Sequence, residues 1–539
     1  MTLPARPPDA ARPGARLLLA SVLVVATCGL VYELIAATMA SYLLGDSVTQ
    51  FSLVIGVYLS AMGLGSWLSK SIERDLYDRF ILVQLVIALV GGLAAGALFL
   101  GYAYLSTIRP LLFSILIIVG TMVGLEIPLL MRILKDGQEL KDLVARVLAF
   151  DYIGSLLASL LFPLALLPHL GLVRTSLLFG LLNALVALAC ARTFRAQLAR
   201  PRLALSQSLA VSLLLAVLLA LGARIERFAE NQLYDAPVVF SNKTAYQRLT
   251  LTRWADDLRL YIDGNLQFSS VDEHRYHEAL VHPAMAEATA TAGLATTATP
   301  ATATPAPTST AQRALVLGGG DGLAARELLK YPGLEHIDLV DLDPGMTDLF
   351  RRDPMLSRLN RGSLSDPRVT VHNTDAMRWL EDHVRNGRDP FDVVLVDLPD
   401  PNNFSLGKLY SHPFYRLLRR ALRPSGVGVV QSTSPYLAPR SYWCIVNTLA
   451  AADLHPRPYH AHVPSFGDWG FVLISHQPRQ PPTRLARVDL HYLTDDLLPG
   501  LFVFPADQRP ADVEINRLSD QLLVHYYEED LRAPTGRRS

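Results

Sequence analysis

The feature that most constrains this chain is a series of long apolar stretches confined to its first 225 residues. Each stretch is long enough for a helix to cross a hydrocarbon core about 30 Å thick. The seven stretches lie at 17–40, 50–69, 80–105, 110–131, 147–170, 174–191 and 203–222. Because ordinary globular sequence follows them, we predict a multi-pass α-helical membrane domain of about seven helices at 17–224, after an N-terminal tail at 1–16.

Lysine and arginine are concentrated before the first stretch and after the second, fourth and sixth. Such a bias marks the cytoplasmic side of a membrane, so it predicts a cytoplasmic N-terminus. Seven complete crossings would then leave the rest of the chain outside the cytoplasm. The stretch at 147–170 contains Asp151, Pro163 and Pro168, and it is the candidate for a partial crossing.

Three carboxylates, Glu33, Glu126 and Asp151, fall within the predicted spans. Ionisable groups at membrane depth are costly, and they usually face a bundle interior, a partner or a transport pathway. One interpretation is that they only form ion pairs or hydrogen bonds between packed helices. The other is that they line a cavity that receives a polycationic amine.

The charge balance and the cysteines exclude several classes of protein. The 49 Lys and Arg residues equal the 49 Asp and Glu residues in number, which excludes a generally basic nucleic-acid coat, so we expect no nucleic-acid partner. Cys28, Cys190 and Cys444 are far apart in the sequence. Their spacing excludes a disulfide framework and a zinc cluster, and we expect no metal site.

The second half of the chain changes in character along its length. Short β-type runs around turn residues predict a small β-rich domain at 228–285. Residues 286–312 are almost wholly Ala, Thr and Pro, and this composition predicts a linker or insert because it offers no side chains for a core. A region of alternating strand and helix patterns follows at 313–478, and a C-terminal extension at 479–539.

The alternating region predicts the fold of the second half. Its predicted strands lie at 313–317, 336–340, 368–371, 391–396, 426–430 and 470–474. Alternating β and α units form a doubly wound, Rossmann-like parallel sheet with helices on both faces. Ligands of such sheets bind outside the carboxyl ends of the strands, so the polar residues there are the candidates for a functional site.

Polar residues after the first three strands predict an adenosine site. The first strand runs into the glycine-rich turn 318–322, which lacks the Lys-Ser/Thr pair of a P-loop. The second ends at Asp341, where a carboxylate can hold two ribose hydroxyls. Asp375 and Ala376 follow the third and are suitably placed to bond an adenine amine. Each aspartate by itself would more often be a turn or capping residue.

Two further groups of residues predict a cationic substrate and a proton acceptor. Asp397 and Asp400, at the end of the fourth strand, are carboxylates three residues apart, although a capped turn would have the same pattern. The segment 272–278 combines acids, a phenol and imidazoles within seven residues. A purely structural role explains the segment 272–278 less well than it explains the two aspartates.

These motifs together resemble the spermidine synthase (polyamine aminopropyltransferase) family, over about 235–478. The resemblance rests on the glycine-rich turn 318–322, the Asp-Glu-x-x-Tyr-His-Glu segment at 272–278, Gln247 after Tyr246, and Asp397-x-x-Asp400-Pro401. Some members carry a multi-pass membrane domain, and the sequences at 124–128 and 151–154 are similar to motifs of that branch.

The resemblance implies a methyltransferase-type fold and transfer of an aminopropyl group from decarboxylated S-adenosylmethionine, as co-substrate, to putrescine or a similar diamine. In the catalytic roles it implies Asp397 as proton acceptor and Tyr276 as the residue that positions the attacking amine. The substrate-binding residues would be His277, Asp321, Asp400 and Gln431. The residues that hold the thioadenosine part would be Gln247, Gly318, Gly320, Asp341, Asp375 and Ala376. We also expect a lipid bilayer and further copies of the chain as partners.

Two positions depart from the family pattern. The usual glutamate after the second strand is the shorter Asp341, and the tyrosine expected in a late Pro-x-Tyr segment is Phe466. Loss of that hydroxyl removes a polar contact and leaves the identity of the amine open.

Two alternative functions remain at the level of sequence. An S-adenosylmethionine-dependent methyltransferase would share the sheet. However, Asp321 lies where such an enzyme would bind the carboxylate of its methyl donor, and the Asp321 carboxylate would repel that group. A membrane polyamine sensor or transporter with a non-catalytic domain is the other. Because the donor is made in the cytoplasm, we expect a cell-membrane protein with a cytoplasmic catalytic domain and an even number of crossings.

Overall fold

The structure is a computed structural model that describes residues 13–44, 47–105, 107–135, 140–231, 234–297, 312–509 and 512–532. The chain divides into two compact units, one ending at Ala236 and the other beginning at Pro237. Each unit has its own apolar core.

The first unit is built from helices in its described residues. They are α1 (Pro13–Leu44), α2 (Ser47–Leu68), α3 (Leu76–Tyr104), α4 (Arg109–Leu134), α5 (Leu140–Leu161), α6 (Leu167–Thr193) and α7 (Pro201–Asn231). Within this part of the chain, six helical stretches are long and apolar enough to cross a membrane. One of them, Lys141–Thr193, contains two of the seven predicted segments, so helix number and number of crossings are separate questions.

The segment between α5 and α6 is where the helix is irregular. Residues Phe162–Leu166, which include Pro163, form a π-helical turn, as expected where proline supplies no N–H for the helix ladder. Gly171 then has φ 72° and ψ −179°, which is not helical. The stretch suspected of a partial crossing, 147–170, is therefore irregular near its end and is followed directly by a break at Gly171, while its relation to a membrane stays a prediction.

The second unit begins with an antiparallel sheet in the order β1-β2-β3-β4. Its strands are β1 (Val238–Lys243), β2 (Arg248–Trp254), β3 (Asp257–Ile262) and β4 (Asn265–Ser269). Asp263 and Gly264 both have positive φ between the paired residues Ile262 and Asn265. This is the geometry that a two-residue hairpin of the Asp-Gly type requires.

Helix α8 (Glu273–Thr297) corrects the prediction of a linker from residue 286. Ala286 and Ala288 are buried, and residues up to Thr297 continue the helix. Alanine has the highest helix propensity, and its small side chain lets a helix pack closely, so low bulk does not by itself indicate a linker. Residues 298–311 of the predicted linker lie outside the described residues.

The larger sheet has the order β10-β11-β9-β8-β5-β6-β7, and the predicted doubly wound sheet is confirmed. Its strands are β5 (Gln312–Gly318), β6 (Leu334–Asp341), β7 (Val369–Asn373), β8 (Phe391–Asp397), β9 (Leu422–Gln431), β10 (His455–Val463) and β11 (Gly467–Ser475). Strands β5 to β9 are parallel, whereas β10 and β11 are antiparallel additions. The sequence analysis missed β10, which contains two prolines and sits at the edge, where proline is tolerated.

Helices cover both faces of this sheet, and each face has its own apolar core. They are α9 (Leu323–Leu328), α10 (Pro344–Arg352), α11 (Pro354–Leu359), α12 (Ala376–Arg385), α13 (Phe404–Gly407), α14 (His412–Ala421), α15 (Pro439–Ala451) and α16 (Leu522–Arg532). Strand order reverses between β5 and β8, and the crevice at such a switch point is where ligands bind.

Candidate active site

The glycine-rich turn lies at the switch point, directly against β8. Gly318 pairs with Asp397 across the two strands and has a φ of +86°. A Cβ atom on Gly318 would lie 1.9 Å from the Asp397 carbonyl oxygen. Only glycine fits there, so the turn is required for β5 and β8 to bring their polar ends together.

Four aspartates surround this turn, and we call them the strand-end carboxylates. They are Asp321 after β5, Asp341 at the end of β6, and Asp397 and Asp400 at and after the end of β8. In the part of the chain that the structure describes, none of them forms a salt bridge with Lys or Arg. Burial raises the pKa of all four above the ordinary value for aspartate.

Asp397 is bonded to Tyr276, which α8 brings to the switch point. The Tyr276 hydroxyl donates a hydrogen bond of 2.6 Å to Asp397 Oδ1. Burial and the charge of Asp397 raise the pKa of Tyr276 well above its ordinary value, so the phenol keeps its proton. The structure thus joins the two residues to which the family resemblance gives catalytic roles.

His277, the residue after Tyr276, is held as a cation. Its Nδ1 lies 2.8 Å from Glu273 Oε2, and Glu273 accepts two bonds of 2.7 and 2.9 Å from Arg326. Burial opposes protonation of His277, but the Glu273 carboxylate and the charges of Asp321 and Asp397 raise its pKa to about 9. A cationic imidazole is suited to stabilise neighbouring carboxylates, which favours an indirect part for His277 in amine binding.

One side of the crevice is built around Asp321 and Asp341. Asp321 Oδ1 accepts from the Leu323 amide at 2.9 Å, and Asp341 accepts from the amides of Gly320 at 3.1 Å and Asp343 at 2.8 Å. Burial raises the pKa of Asp321 to about 6 and the pKa of Asp341 to about 7.

Asp375 has a different environment from the strand-end carboxylates. It caps α12 by accepting from the Arg378 amide at 3.1 Å, and Lys408 Nζ lies 2.6 Å from its Oδ2. Burial acts to raise its pKa, but the Lys408 ammonium lowers it overall. Ala376 is the first residue of α12. Any bond from Asp375 to an adenine amine would share a carboxylate that is already paired.

Gln247 belongs to the small sheet, just before β2. Its backbone amide donates to Thr244 Oγ1 at 3.1 Å, and that hydroxyl donates to Asp343 Oδ2 at 2.8 Å. This connection ties the small sheet to the turn after β6, on the side of the crevice that holds Asp341.

Asp400 closes the other side of the crevice. Its Oδ2 accepts from the hydroxyls of Thr433 at 3.2 Å and Tyr527 at 2.8 Å. Its Oδ1 is buried and has no hydrogen-bond partner among the described residues. Burial raises the pKa of Asp400 to about 6, although Tyr527, Gln431 and Thr433 act in the opposite direction.

Gln431 supports the loop that carries Asp400. Its side-chain amide donates to the carbonyl of Leu398 and to the hydroxyl of Tyr410, and its Oε1 accepts from the Thr433 amide at 3.1 Å. Both N–H donors of the amide are therefore used, whereas Oε1 keeps a second lone pair that can accept from a substrate ammonium group.

Phe466 lies next to Tyr276. Its ring centroid is 6.2 Å from that of Tyr276 in an edge-to-face contact and 5.0 Å from that of Trp469. The loop that carries it is tied to the start of α8, because Asp272 accepts from the amide and hydroxyl of Ser465. Loss of the tyrosine hydroxyl therefore makes the wall beside Tyr276 more apolar.

The sequence analysis missed Thr433 and Tyr527. Thr433 has a φ of +59°, an outlier for a β-branched residue, and such strain is characteristic of functional sites. Tyr527 comes from the C-terminal extension, where no motif marked it. Among the described residues, no group of three or more His, Cys, Asp and Glu side chains is arranged to hold a metal ion.

Comparison with known proteins agrees with this geometry. A family model described as Spermine/spermidine synthase domain matches residues 273–485. Polyamine aminopropyltransferase 1 of Ralstonia nicotianae is 49% identical over 98% of this chain and 99% of its own length. The chain belongs to the polyamine aminopropyltransferase family. The match to this relative includes the helical unit, and it confirms the resemblance seen in the motifs.

Other family members match the chain to a similar extent. Polyamine aminopropyltransferase of Leptospira interrogans is 46% identical over 95% of this chain and 97% of its own length. Among solved structures, a spermidine synthase in complex with the transition state analogue AdoDATO has 22% identity and a TM-score of 0.42, over 50% of this chain and 85% of that chain.

Proposed function

We propose that the chain transfers a 3-aminopropyl group from decarboxylated S-adenosylmethionine to putrescine or a related diamine. The products are a spermidine-type polyamine and 5'-methylthioadenosine. One observation carries this proposal beyond family membership: the strand-end carboxylates converge on the switch point with raised pKa values and no Lys or Arg counter-ion among the described residues. Such a site favours substrates that bring positive charge.

Asp397 is the proton acceptor of this reaction. An alkyl amine has a pKa of about 10.4, by analogy with lysine, so it arrives protonated and must lose a proton before it can attack. The raised pKa of Asp397 makes it a stronger base than an exposed aspartate. The bond from Tyr276 fixes Oδ1 and leaves the other carboxylate oxygen to face the amine.

The chemical step is a displacement at carbon. The neutral nitrogen forms a bond to the methylene carbon next to the sulfonium, the carbon–sulfur bond breaks, and its electron pair stays on the sulfur of methylthioadenosine. The sulfonium makes that carbon electrophilic by itself. What remains for the protein is alignment of nitrogen, carbon and sulfur, which contributes up to about 7–11 kcal/mol in favourable cases.

The charge of the donor tail distinguishes this function from methyl transfer. A decarboxylated tail carries only an ammonium group, which Asp321 attracts. An intact S-adenosylmethionine tail also carries a carboxylate, which Asp321 would repel at close range inside a buried site. Gln247, Gly318, Gly320, Asp341, Asp375 and Ala376 then hold the adenosine part.

The first unit is proposed to cross the cell membrane, with the catalytic unit in the cytoplasm. Six apolar helical stretches among the described residues and the Lys/Arg bias of alternate loops support membrane insertion. Supply of a charged, cytoplasmic donor supports the orientation and an even number of crossings. Reporters fused after Arg227 and within 298–311 test this, and activity only outside the cytoplasm would contradict it.

A polar contact inside the helical unit supports a cavity for a polycationic amine. Gln84 on α3 donates to Glu126 Oε1 on α4, and both residues are buried. Gln84 Oε1 and Glu126 Oε2 have no hydrogen-bond partner among the described residues. We propose that Glu126 lines the cavity with Glu33 and Asp151, and unchanged polyamine handling after neutralising all three would contradict this.

The decisive experiment uses the purified full chain in detergent. It is incubated with decarboxylated or intact S-adenosylmethionine and a panel of diamines, and products are measured by mass spectrometry. We expect polyamine and methylthioadenosine from the decarboxylated donor alone. Methylated amine from the intact donor would instead favour a methyltransferase, and diamine binding without turnover would favour a sensor. Light scattering of the same sample tests our further proposal of a homo-oligomer.

A further inference from the structure

The C-terminal helix α16 reaches the active site from outside the part of the chain that the family model matches. That match ends at residue 485, whereas α16 spans Leu522–Arg532. Its Tyr527 hydroxyl donates a bond of 2.8 Å to Asp400 Oδ2. A residue in the C-terminal extension therefore contacts a carboxylate at the crevice of the sheet.

Helix α16 is fixed in this position by the start of α15. Asp530 is buried and accepts from the backbone amides of Arg440 at 2.9 Å and Ser441 at 3.3 Å. It also accepts from Arg440 Nε at 2.8 Å. Because Asp530 satisfies amides at a helix N-terminus, where free N–H groups await acceptors, α16 is held at its C-terminal end.

The loop that carries Asp400 is held by the same segment. A Cβ atom on Gly407, in α13, would lie 2.6 Å from Val524 Cγ2 on α16. Asn516 Nδ2 donates to the Gly407 carbonyl at 2.9 Å. The C-terminal extension thus supports both the carboxylate of Asp400 and the chain that follows it.

We propose that Tyr527 is a positioning residue for the acceptor amine, and that α16 forms the wall of the amine-binding end of the site. Tyr527 and Thr433 both bond Oδ2, so they turn the unpartnered Oδ1 of Asp400 toward an alkylammonium group. This inference rests on the proposed function, since it identifies how that site holds the end of the diamine that does not react.

Electrostatics support this assignment. The Tyr527 hydroxyl acts to lower the pKa of Asp400, against the effect of burial. Removal of the hydroxyl should therefore raise the pKa of Asp400 further and leave less carboxylate available to an ammonium group near neutral pH.

The test is Tyr527→Phe in the full chain, with Tyr526→Phe as a matched control. Tyr526 is the adjacent tyrosine on α16, and its ring lies 5.3 Å from the Arg440 guanidinium rather than on Asp400. We expect Tyr527→Phe to raise KM for putrescine about tenfold, the usual effect of one hydrogen bond to a charged group. The kcat value and KM for the donor should stay within about twofold, and Tyr526→Phe should match wild type throughout.

Two measurements separate positioning from simple structural support. The acid limb of kcat/KM for putrescine should move to higher pH in Tyr527→Phe, which loss of packing alone would not cause. Thr433→Val, which removes the other donor to the same oxygen, should also raise KM for putrescine, and the double variant should be non-additive. A loss of thermal stability with an unmoved acid limb and unchanged KM would overturn the inference.

A direct binding measurement distinguishes failure of this inference from failure of the proposed function. Calorimetry with putrescine requires no turnover, and it should show about tenfold weaker binding by Tyr527→Phe than by wild type. If wild type makes no polyamine yet the binding difference is found, the proposed function fails and the positioning role stands. If wild type turns over and both variants bind putrescine equally, the positioning role fails alone.

Discussion

Two groups of buried acidic side chains in the catalytic unit have opposite electrostatic states. Burial raises the pKa values of the strand-end carboxylates. Glu273 on α8 and Glu327 on α9, which we call the paired glutamates, are also buried. Burial acts on them in the same direction, but hydrogen bonds and charges from Arg326 and neighbouring histidines lower their pKa values overall, to about 2 for Glu273.

The difference separates acids that stabilise the fold through ion pairs from acids that we propose bind a ligand. A carboxylate with its cation already in place stabilises the folded chain, and its removal leaves a buried charge uncompensated. A buried carboxylate without a cation costs free energy that a cationic substrate can offset. His277 links the two groups, because it is bonded to Glu273 and its charge acts on Asp321 and Asp397.

The largest effect is expected from Asp397→Asn. This change removes the proton acceptor and keeps the shape of the side chain, so kcat should fall by about 10²–10⁴-fold. Donor affinity, measured by calorimetry, should be largely retained. A variant that keeps more than about a tenth of wild-type turnover would contradict the assignment of Asp397.

Glu273→Gln should lower the folding stability by a free energy similar to the one that Asp397→Asn costs in catalysis. It removes the charge that Arg326 and His277 share, and within the described part of the chain Arg326 keeps only Glu327 as a carboxylate partner, at 3.0 Å. We expect a loss of about 3 kcal/mol of folding stability, at the low end for a broken buried pair, measured by denaturant unfolding. Asp382→Asn, which breaks an exposed pair with Arg385, should cost less than about 1 kcal/mol. Equal losses would remove the distinction between the groups.

Asp321→Asn should weaken donor binding but stabilise the fold, whereas Glu273→Gln should destabilise the fold. Affinity for the decarboxylated donor should fall about tenfold, the usual effect of one charged hydrogen bond, and its preference over S-adenosylmethionine should narrow. The ligand-free chain should melt a few degrees higher at pH 8, since a buried charge that burial disfavours more than His277 stabilises it is gone. If wild type binds both donors equally well, Asp321 does not select the donor.

The most direct comparison of the two groups is their response to acid. Asp321 and Asp400 have pKa values of about 6 and Asp341 of about 7. Between pH 7 and 5 the folded chain takes up these protons before an unfolded chain, with aspartate pKa about 3.9, would do so. Their protonation abolishes attraction for cations, so kcat/KM for putrescine should fall steeply over this range.

Stability should not fall with activity over that range. Protons taken up by the folded chain stabilise it, and His277, whose pKa is raised to about 9, contributes fully below about pH 6.5. Glu273 loses its stabilising contribution only as the pH falls from about 4.5 toward 2. Thermal melts in the same buffers test this, and a melting temperature that drops together with kcat/KM would contradict it.

Much of the catalytic unit follows from the sequence by itself. Alternating strand and helix patterns dictate a doubly wound sheet, and the carboxyl ends of its strands must lie along one edge. Asp321, Asp341 and Asp397 each follow a recognisable strand, so their convergence was predictable from position alone. Tyr276 was predictable only because its segment concentrates acids, imidazoles and a phenol.

Only the tertiary structure decided the remaining features, because they depend on contacts between residues distant in the chain. Tyr527 bonds Asp400 across 127 positions, and no local spacing indicates such a pair. Residues Ala286 and Ala288 belong to a helix rather than a linker, and their burial depends on packing partners that are distant in the chain. The state of each acid was likewise undetermined, since Glu273 and Asp397 differ in their partners and not in any neighbouring pattern of the sequence.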